Sequence, residues 1–472
     1  MDIAHSATKI FGSGVTKKAL GFLALAYFAR ELTPAQLGIF FLFQALTKVI
    51  AIPTDFGIRS ALKKRISEGS HREEILTTGV LLKSALLAVF ALVVVILRGP
   101  LNQYLGADLA MLLIVVVAVS EFGQTAISVL TGELRVGDTA SIQVAQTVAW
   151  VGVGAALVSM GYGVYGLVYG LIASFVVMLV FGAYRVSLSF GTPSLEHARS
   201  LFDFSRYSFV SRVSGYIYNW MDIAVIGLLL TQAAVAPYEI AWRVAGVTML
   251  LGNALTTTVY PQMSEWHSEG ATERIEALIP KVLTPALFFV IPSFFGIVLF
   301  SREILGIVFS PQYTGAWLVL IILAFENMFQ PIHMILGRAL LAIDHPGLAA
   351  RASVFSMILN LVLNFALVWQ FGIVGAAVAT ITASSFNGFL HAVYLSRYLS
   401  IRLPFREIGW CVFAALGMTA VLLTGLTMIT VNTFPELLVM VAIGAVAYIG
   451  IALVYPPIRT TVSAQFSRIV GY

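Results

Sequence analysis

Apolar residues run along this chain in blocks of about twenty, the length a helix needs to cross the hydrocarbon core of a bilayer. The blocks fall at residues 10–29, 36–54, 75–97, 109–131, 139–160, 164–184, 207–230, 236–260, 281–300, 314–337, 352–369, 373–395, 407–430 and 436–456. This pattern predicts an all-α polytopic membrane protein of about fourteen transmembrane helices, the only spanning form besides a closed barrel that satisfies every backbone polar group. An even number of spans puts both termini on one side. Several breaks between blocks are very short, as at Gly161-Tyr162-Gly163 and Gln370 to Gly372, and leave no room for a folded domain on that face. The longer connections, 185–206 and 261–280, lie on the opposite face. The first contains Gly191-Thr192-Pro193-Ser194 and reads as a hinge-like linker near the middle of the chain.

Composition removes the competing classes. With 59% hydrophobic and 11% charged residues, the chain cannot be a water-soluble globular protein. Its formal charge of +5 would suggest acidic partners in a soluble protein, but here it is explained by orientation. Of the 28 Lys and Arg, six fall within spans, and 19 of the rest lie on one side, including Arg59, Lys63, Lys64, Arg65 and Arg72. Only Arg30, Arg98 and Arg302 lie on the other, so the positive-inside rule predicts cytoplasmic termini in a cell membrane and gives no support to nucleic-acid binding. The single cysteine, Cys411, rules out an intramolecular disulfide and a cysteine metal site. Lys17-Lys18 followed by Ala19 to Ala29 has the look of a secretory leader, but the apolar pattern starts earlier, at Ile10, and suits a retained first span.

The two halves of the chain are related. Tyr162-Gly163-Val164-Tyr165-Gly166 before the sixth span resembles Phe371-Gly372-Ile373-Val374-Gly375 before the twelfth. Glu121 precedes Gly132 by the same interval as Glu326 precedes Gly337, and Thr33 to Phe40 resembles Thr231 to Tyr238. Six spans separate the members of each pair, so the repeat is parallel, about an axis along the membrane normal. The expected organisation is a six-helix lobe over 1–190, a linker at 191–206, a second six-helix lobe over 207–396, and two additional helices with a tail over 397–472.

The stretch Ala29-Arg30-Glu31-Leu32-Thr33-Pro34-Ala35-Gln36-Leu37-Gly38-Ile39-Phe40, followed by Asp55-Phe56-Gly57-Ile58 and a basic loop, resembles the opening of polysaccharide-biosynthesis flippases. These belong to the multidrug/oligosaccharidyl-lipid/polysaccharide exporter superfamily. Asp222-Ile223-Ala224-Val225-Ile226-Gly227 with Tyr238-Glu239-Ile240-Ala241 is similar to the family's seventh and eighth helices, and Asn360 to Asn364 with Phe371 to Ala377 to its eleventh and twelfth. The resemblance implies two bundles flanking a central cavity. It also implies transfer of a polyprenyl-phosphate-linked oligosaccharide from the cytoplasmic to the outer leaflet by alternating access, for surface polysaccharide or glycoprotein assembly. No cofactor is expected; the expected partners are the anionic lipid-linked sugar, membrane lipids and a coupling ion, H+ or Na+, with the protein working as a monomer.

Charged residues inside the spans are the candidate site, because each costs about 2.5–3.5 kcal/mol to insert unless it faces a wet or paired interior. Lys48, in the middle of the second span, is the first candidate for a substrate phosphate, followed by Arg243, Lys17, Lys18 and Arg212. Lys17 and Lys18 point about 100° apart on a helix, and snorkelling to the interface competes with ligand contact for either. Arg243 follows Glu239 by four residues, the favourable order for an intrahelical ion pair, so a purely structural role stands beside substrate binding. Asp222, Glu121, Glu326 and Glu239 are candidates for ion coupling or gating, with charge balance or hydrogen bonding between lobes as the alternative. Lys83, about two turns into its span, is expected to snorkel, and His333 and His391 read as structural. The six cations and four anions among these intramembrane positions favour an anionic cargo over the organic cations of a multidrug exporter of the same superfamily. A membrane glycosyltransferase or polymerase would need positioned acids, bases or metal ligands, for which the outer loops are too short.

Overall fold

The computed structural model describes the backbone from Ile3 to Thr460, with side chains described at residues 12–206, 220–250, 252 and 259–460. Two compact units divide the chain, Met1–Ala236 and Pro237–Tyr472. The division therefore falls beyond the 191–206 segment and leaves the seventh span with the first six. Among the described residues every regular element is helical.

The first unit contains α1 (Ile3–Glu31), α2 (Pro34–Asp55), α3 (Ile58–Ser67), α4 (Arg72–Ile96), α5 (Arg98–Leu105), α6 (Ala110–Gly132), α7 (Val136–Ser159), α8 (Gly163–Arg185) and α9 (Leu195–Leu229). Thr33 caps α2 with a reciprocal capping box to Gln36, which satisfies backbone donors that the start of a helix otherwise leaves open. The basic stretch after α2 is the amphipathic helix α3. Its Ile58, Ala61, Leu62 and Ile66 pack on Ile75, Leu76, Val129 and Leu201, so the basic residues occupy a helix rather than the expected loop. The linker also departs from expectation. Residues 195–206 are the opening turns of α9, and the stretch before them is tied to α4: Gly191 N–H donates to Thr77 Oγ1 at 2.9 Å, and Ser194 N–H to Thr78 Oγ1 at 3.2 Å. Hydrogen bonds at this spacing fix the linker against one helix, which a free hinge would lack.

The second unit is built from α10 (Gln232–Val247), which starts just before the division, α11 (Leu250–Ser268), α12 (Thr272–Glu303), α13 (Trp317–Glu326), α14 (Gln330–Ala342), α15 (Pro346–Leu395), α16 (Phe405–Leu426) and α17 (Phe434–Ala452). Leu283, Leu287, Ile291, Leu336 and Leu340 share one core with Ala414, Met418, Leu422 and Met440, so the last two spans are packed into this unit. Two expected spans are interrupted. The eighth is split into α10 and α11 around Thr248 and Met249, and the tenth into α13 and α14 at Asn327–Phe329, just before Pro331, which has no N–H to continue the ladder. With the short α3 and α5 left aside, each split pair counted once and the kinked α15 as two, the helices correspond to the fourteen expected segments; among the described residues, ten helices are long and apolar enough to cross a membrane.

The internal repeat is visible in the backbone. Gly163 and Gly372 both take positive φ, 54° and 59°, at the turn between two spans, a conformation that carries little cost only without a Cβ. Three residues later, Gly166 packs against the backbone of Leu157 and Val158, and Gly375 against that of Leu367 and Val368. A Cβ on Gly375 would lie 2.0 Å from the Leu367 carbonyl oxygen, so this glycine lets the two arms of α15 fold back on each other. The helix ends also match: Arg135 N–H reaches Leu130 O beside left-handed Leu134, and His345 N–H reaches Leu340 O beside left-handed Asp344, both at 2.9 Å.

Candidate functional site

The strongest concentration of charge in the first unit lies where α2, α3, α4 and α6 meet. Lys83 of α4 is fully buried, and its Nζ is 2.6 Å from Glu121 Oε2, 3.1 Å from Asp55 Oδ1 and 3.0 Å from Thr125 Oγ1. Arg59, at the start of α3, brings Nε to 2.8 Å from Asp55 Oδ1 and a terminal nitrogen to 3.7 Å from Glu121 Oε1. Two cations thus face two buried carboxylates. The left-handed Phe56-Gly57 turn makes this possible, because it ends α2 and starts α3 at an angle that carries Arg59 back over Asp55. Lys83 therefore does not snorkel: an interior partner costs less than an extended side chain reaching for the interface. The i, i+4 spacing of Asp55 and Arg59 was a sequence signal for half of this network, but Lys83 and Glu121 are 38 positions apart and are joined only by packing.

Lys48 is half-buried on α2 and lies within electrostatic reach of Arg59 and Glu121, the edge of the same network. It adds a third positive charge to a set whose other four members cancel. Lys17 on α1 donates from Nζ to Gln143 Oε1 of α7, so it is held by a neutral amide rather than an acid. Lys18 is exposed. Asp222 is buried on α9, with 9% of its surface accessible. Arg212 belongs to the same helix, but its side chain lies outside the described residues.

In the second unit, Glu239 is buried on α10 and accepts from Arg243 Nε at 2.6 Å, the pair anticipated from their spacing; the Arg243 side chain remains about one-third exposed. Glu326 ends α13 beside the interruption of that span, and Ser384 of α15 donates to its Oε1 at 2.6 Å. Asn327, in the break itself, donates from Nδ2 to Ala245 O at 2.8 Å and to Thr248 Oγ1 at 3.1 Å. One amide thereby bridges the two interrupted spans and gives the Ala245 carbonyl, which also accepts from Thr248 N–H at 3.1 Å, a second donor at the end of α10. Broken helices of this kind are tolerated in membranes where backbone is shielded by protein or lines a cavity, and they recur at transporter binding sites. Pro331 signals a kink in the tenth span from sequence alone, whereas the Gly246, Thr248 stretch gave no such expectation for the eighth. His391 is buried with its ring against Gly337, and His333 is close enough to interact electrostatically with it.

Residues 27–318 match the sequence profile of the family described as polysaccharide biosynthesis protein. The chain is 46% identical over 470 residues, spanning the whole of both proteins, to the probable low-salt glycan biosynthesis flippase Agl15 of Haloferax volcanii. It is 28% identical over 451 residues, 94% of each chain, to the probable flippase AglR of the same organism. Among solved structures, a lipid II flippase, MurJ, in an inward closed conformation superimposes with a TM-score of 0.79 at 16% identity, covering 98% of this chain and 99% of the other. A multidrug resistance MATE transporter of the MOP superfamily in an inward-facing conformation gives a TM-score of 0.64 at 18% identity, over 80% and 95%. At these identities the structural likenesses establish the fold, a multi-pass helical membrane fold shared with that superfamily.

Proposed function

Because this chain belongs to the family of polysaccharide biosynthesis proteins, we propose that it is a flippase for a polyprenyl-phosphate-linked oligosaccharide and carries it from the cytoplasmic to the outer leaflet of the cell membrane by alternating access. The observation that carries this reading to the site is the charge count around Lys48. Lys83 and Arg59 are matched by Asp55 and Glu121, so the surplus cation beside them is available for an anionic head group. Moving a phosphate through hydrocarbon is prohibitive unless fixed donors replace its water, and a half-buried lysine beside a balanced network provides one without adding a fully isolated charge.

The remaining candidates take roles according to their partners. We assign Glu121 and Glu239 to charge balance, since each directly contacts a cation. Arg243, partly exposed beyond Glu239, is a second phosphate contact. Glu326, at the interrupted span, suits a gate, and buried Asp222 suits a coupling-ion site for H+ or Na+. Lys17, tied to Gln143, and exposed Lys18 are weaker choices for the substrate, and Arg212 stays a proposal from sequence alone. Both termini are proposed to be cytoplasmic and the monomer to be the working unit.

Reconstitution into vesicles with a fluorescent polyprenyl-diphosphate oligosaccharide tests the reading, with an impermeant quencher reporting the outer-leaflet pool. The wild-type protein should equilibrate the lipid between leaflets, and Lys48→Ala should slow it roughly ten- to a hundredfold, the loss of one charge-assisted contact of about 1.5–3 kcal/mol. Transport of organic cations with no movement of the lipid-linked sugar would instead favour the multidrug-exporter reading.

A further inference from the structure

Three metal-ligating side chains converge at the junction of α4 and α9, outside the charge network and unused by the flippase reading. His197 Nε2 lies 2.9 Å from Glu74 Oε2, and His71 Nδ1 lies 3.3 Å from the same oxygen. All three donor atoms are within 4.8 Å of one another, and the two imidazole rings are 5.3 Å apart, centroid to centroid. We propose that His71, Glu74 and His197 form a site for a divalent transition-metal cation of the zinc type, which staples the linker and the start of α9 to the start of α4.

The chemistry and the spacing both support this. Two imidazole nitrogens and one carboxylate oxygen are a borderline donor set that suits zinc and its first-row neighbours, whereas calcium and magnesium prefer all-oxygen shells. Around a tetrahedral ion with bonds of about 2.0–2.1 Å, neighbouring donor atoms sit about 3.3–3.4 Å apart. The two contacts to Glu74 Oε2 are within about half an ångström of that edge, and the remaining one, between the two imidazole nitrogens, is at most 4.8 Å and closes by rotation of the His71 side chain as an ion binds. His71 is free to make it: it precedes α4 with a left-handed backbone, φ 50°, and its ring makes no capping bond to the helix. The side chains of His71 and Glu74 are 62% and 37% exposed and that of His197 is 16%, so an ion can enter from solvent and water can complete its shell.

The consequence lies in what the trio joins. His197 stands in the first turn of α9, directly after the extended stretch in which Ser189, Gly191 and Ser194 are hydrogen-bonded to Glu73, Thr77 and Thr78 of α4. A cation held between His71, Glu74 and His197 adds coordinate bonds at the end of that row. It therefore makes release of the linker from α4 dependent on metal occupancy.

The test uses the full chain without an affinity tag, in detergent micelles and stripped with a chelator, titrated with zinc chloride and followed by equilibrium dialysis with elemental analysis. The expected result is one equivalent of zinc per chain, retained when Cys411 is changed to Ser, and a set of tetrahedral visible bands when cobalt replaces zinc. H71A/H197A should lose that equivalent and E74Q should bind at least tenfold more weakly, each with an unchanged elution profile, which separates lost binding from lost fold. Hydrogen exchange of residues 186–197 should slow on zinc addition in the wild type and not in H71A/H197A. Absence of stoichiometric uptake, uptake undiminished in the double variant, or binding without protection of the linker would overturn the proposal. The outcome is independent of whether the lipid-linked sugar is transported.

Discussion

Lys83 and Lys48 illustrate how similar residues in one membrane protein take opposite assignments. Lys83 has two acids and a hydroxyl around its ammonium and no accessible surface, so its charge is consumed by structure. Removing one partner of such a set strands the others, at a cost of about 3–5 kcal/mol. Lys83→Met should therefore lower the thermal midpoint of the detergent-solubilised protein strongly, and adding Glu121→Gln should recover part of the loss, because the double change removes a matched pair. A fully additive pair of losses would argue against the direct interaction. Lys48→Ala, by contrast, should leave the midpoint nearly unchanged while slowing transport, since no acid is stranded by its loss. The sequence singled out Lys48, Lys83 and Glu121 as unusual but not Asp55, and it misassigned Lys83, because distance from the helix end was used where the positions of Asp55 and Glu121 decided the matter.

At the scale of elements, glycines and helix breaks define the geometry. Gly375 permits an approach to the Leu367 carbonyl that any side chain would block, so Gly375→Ala should reduce the yield of monodisperse protein and its thermal midpoint. Gly347→Ala, at a position in the same helix with open space around it, should be neutral or stabilising by up to about 1 kcal/mol and serves as the control. Equal effects from both would show that the close packing of the α15 hairpin is unimportant. The repeat that joins Gly166 to Gly375 was legible because backbone contact permits no other residue there. The interruptions at Thr248 and Asn327 were not legible as breaks, since the apolar pattern runs across them and hydropathy does not register which backbone carbonyl an asparagine side chain will satisfy.

For the whole molecule, the asymmetry of basic residues makes a topology that can be measured directly. In a Cys411→Ser background, single cysteines at Gly161 and Gln370 should react with an impermeant maleimide from outside intact cells. Cysteines at Glu68 and Thr192 should react only after permeabilisation. Labelling of all four from one side would invalidate the fourteen-span topology, whatever the function. The same orientation gives the direction of the proposed transport its meaning, because the side that carries α3 and the linker is the side on which a lipid-linked sugar would be loaded.

The sequence by itself determined the class of fold and the likeness of the two halves, and it set the expected number and orientation of the crossings. These follow from properties that are additive along the chain: apolar length, basic loops, and glycines at positions that tolerate nothing larger. Tertiary structure alone decided which charges cancel and which remain, where spans are broken, and that His197 stands beside His71 and Glu74, 123 positions from Glu74. The physical reason is the same in each case. A buried charge, a freed carbonyl or a metal-ligating nitrogen acquires its role from the group facing it, and that group is chosen by helix packing rather than by neighbours in the chain.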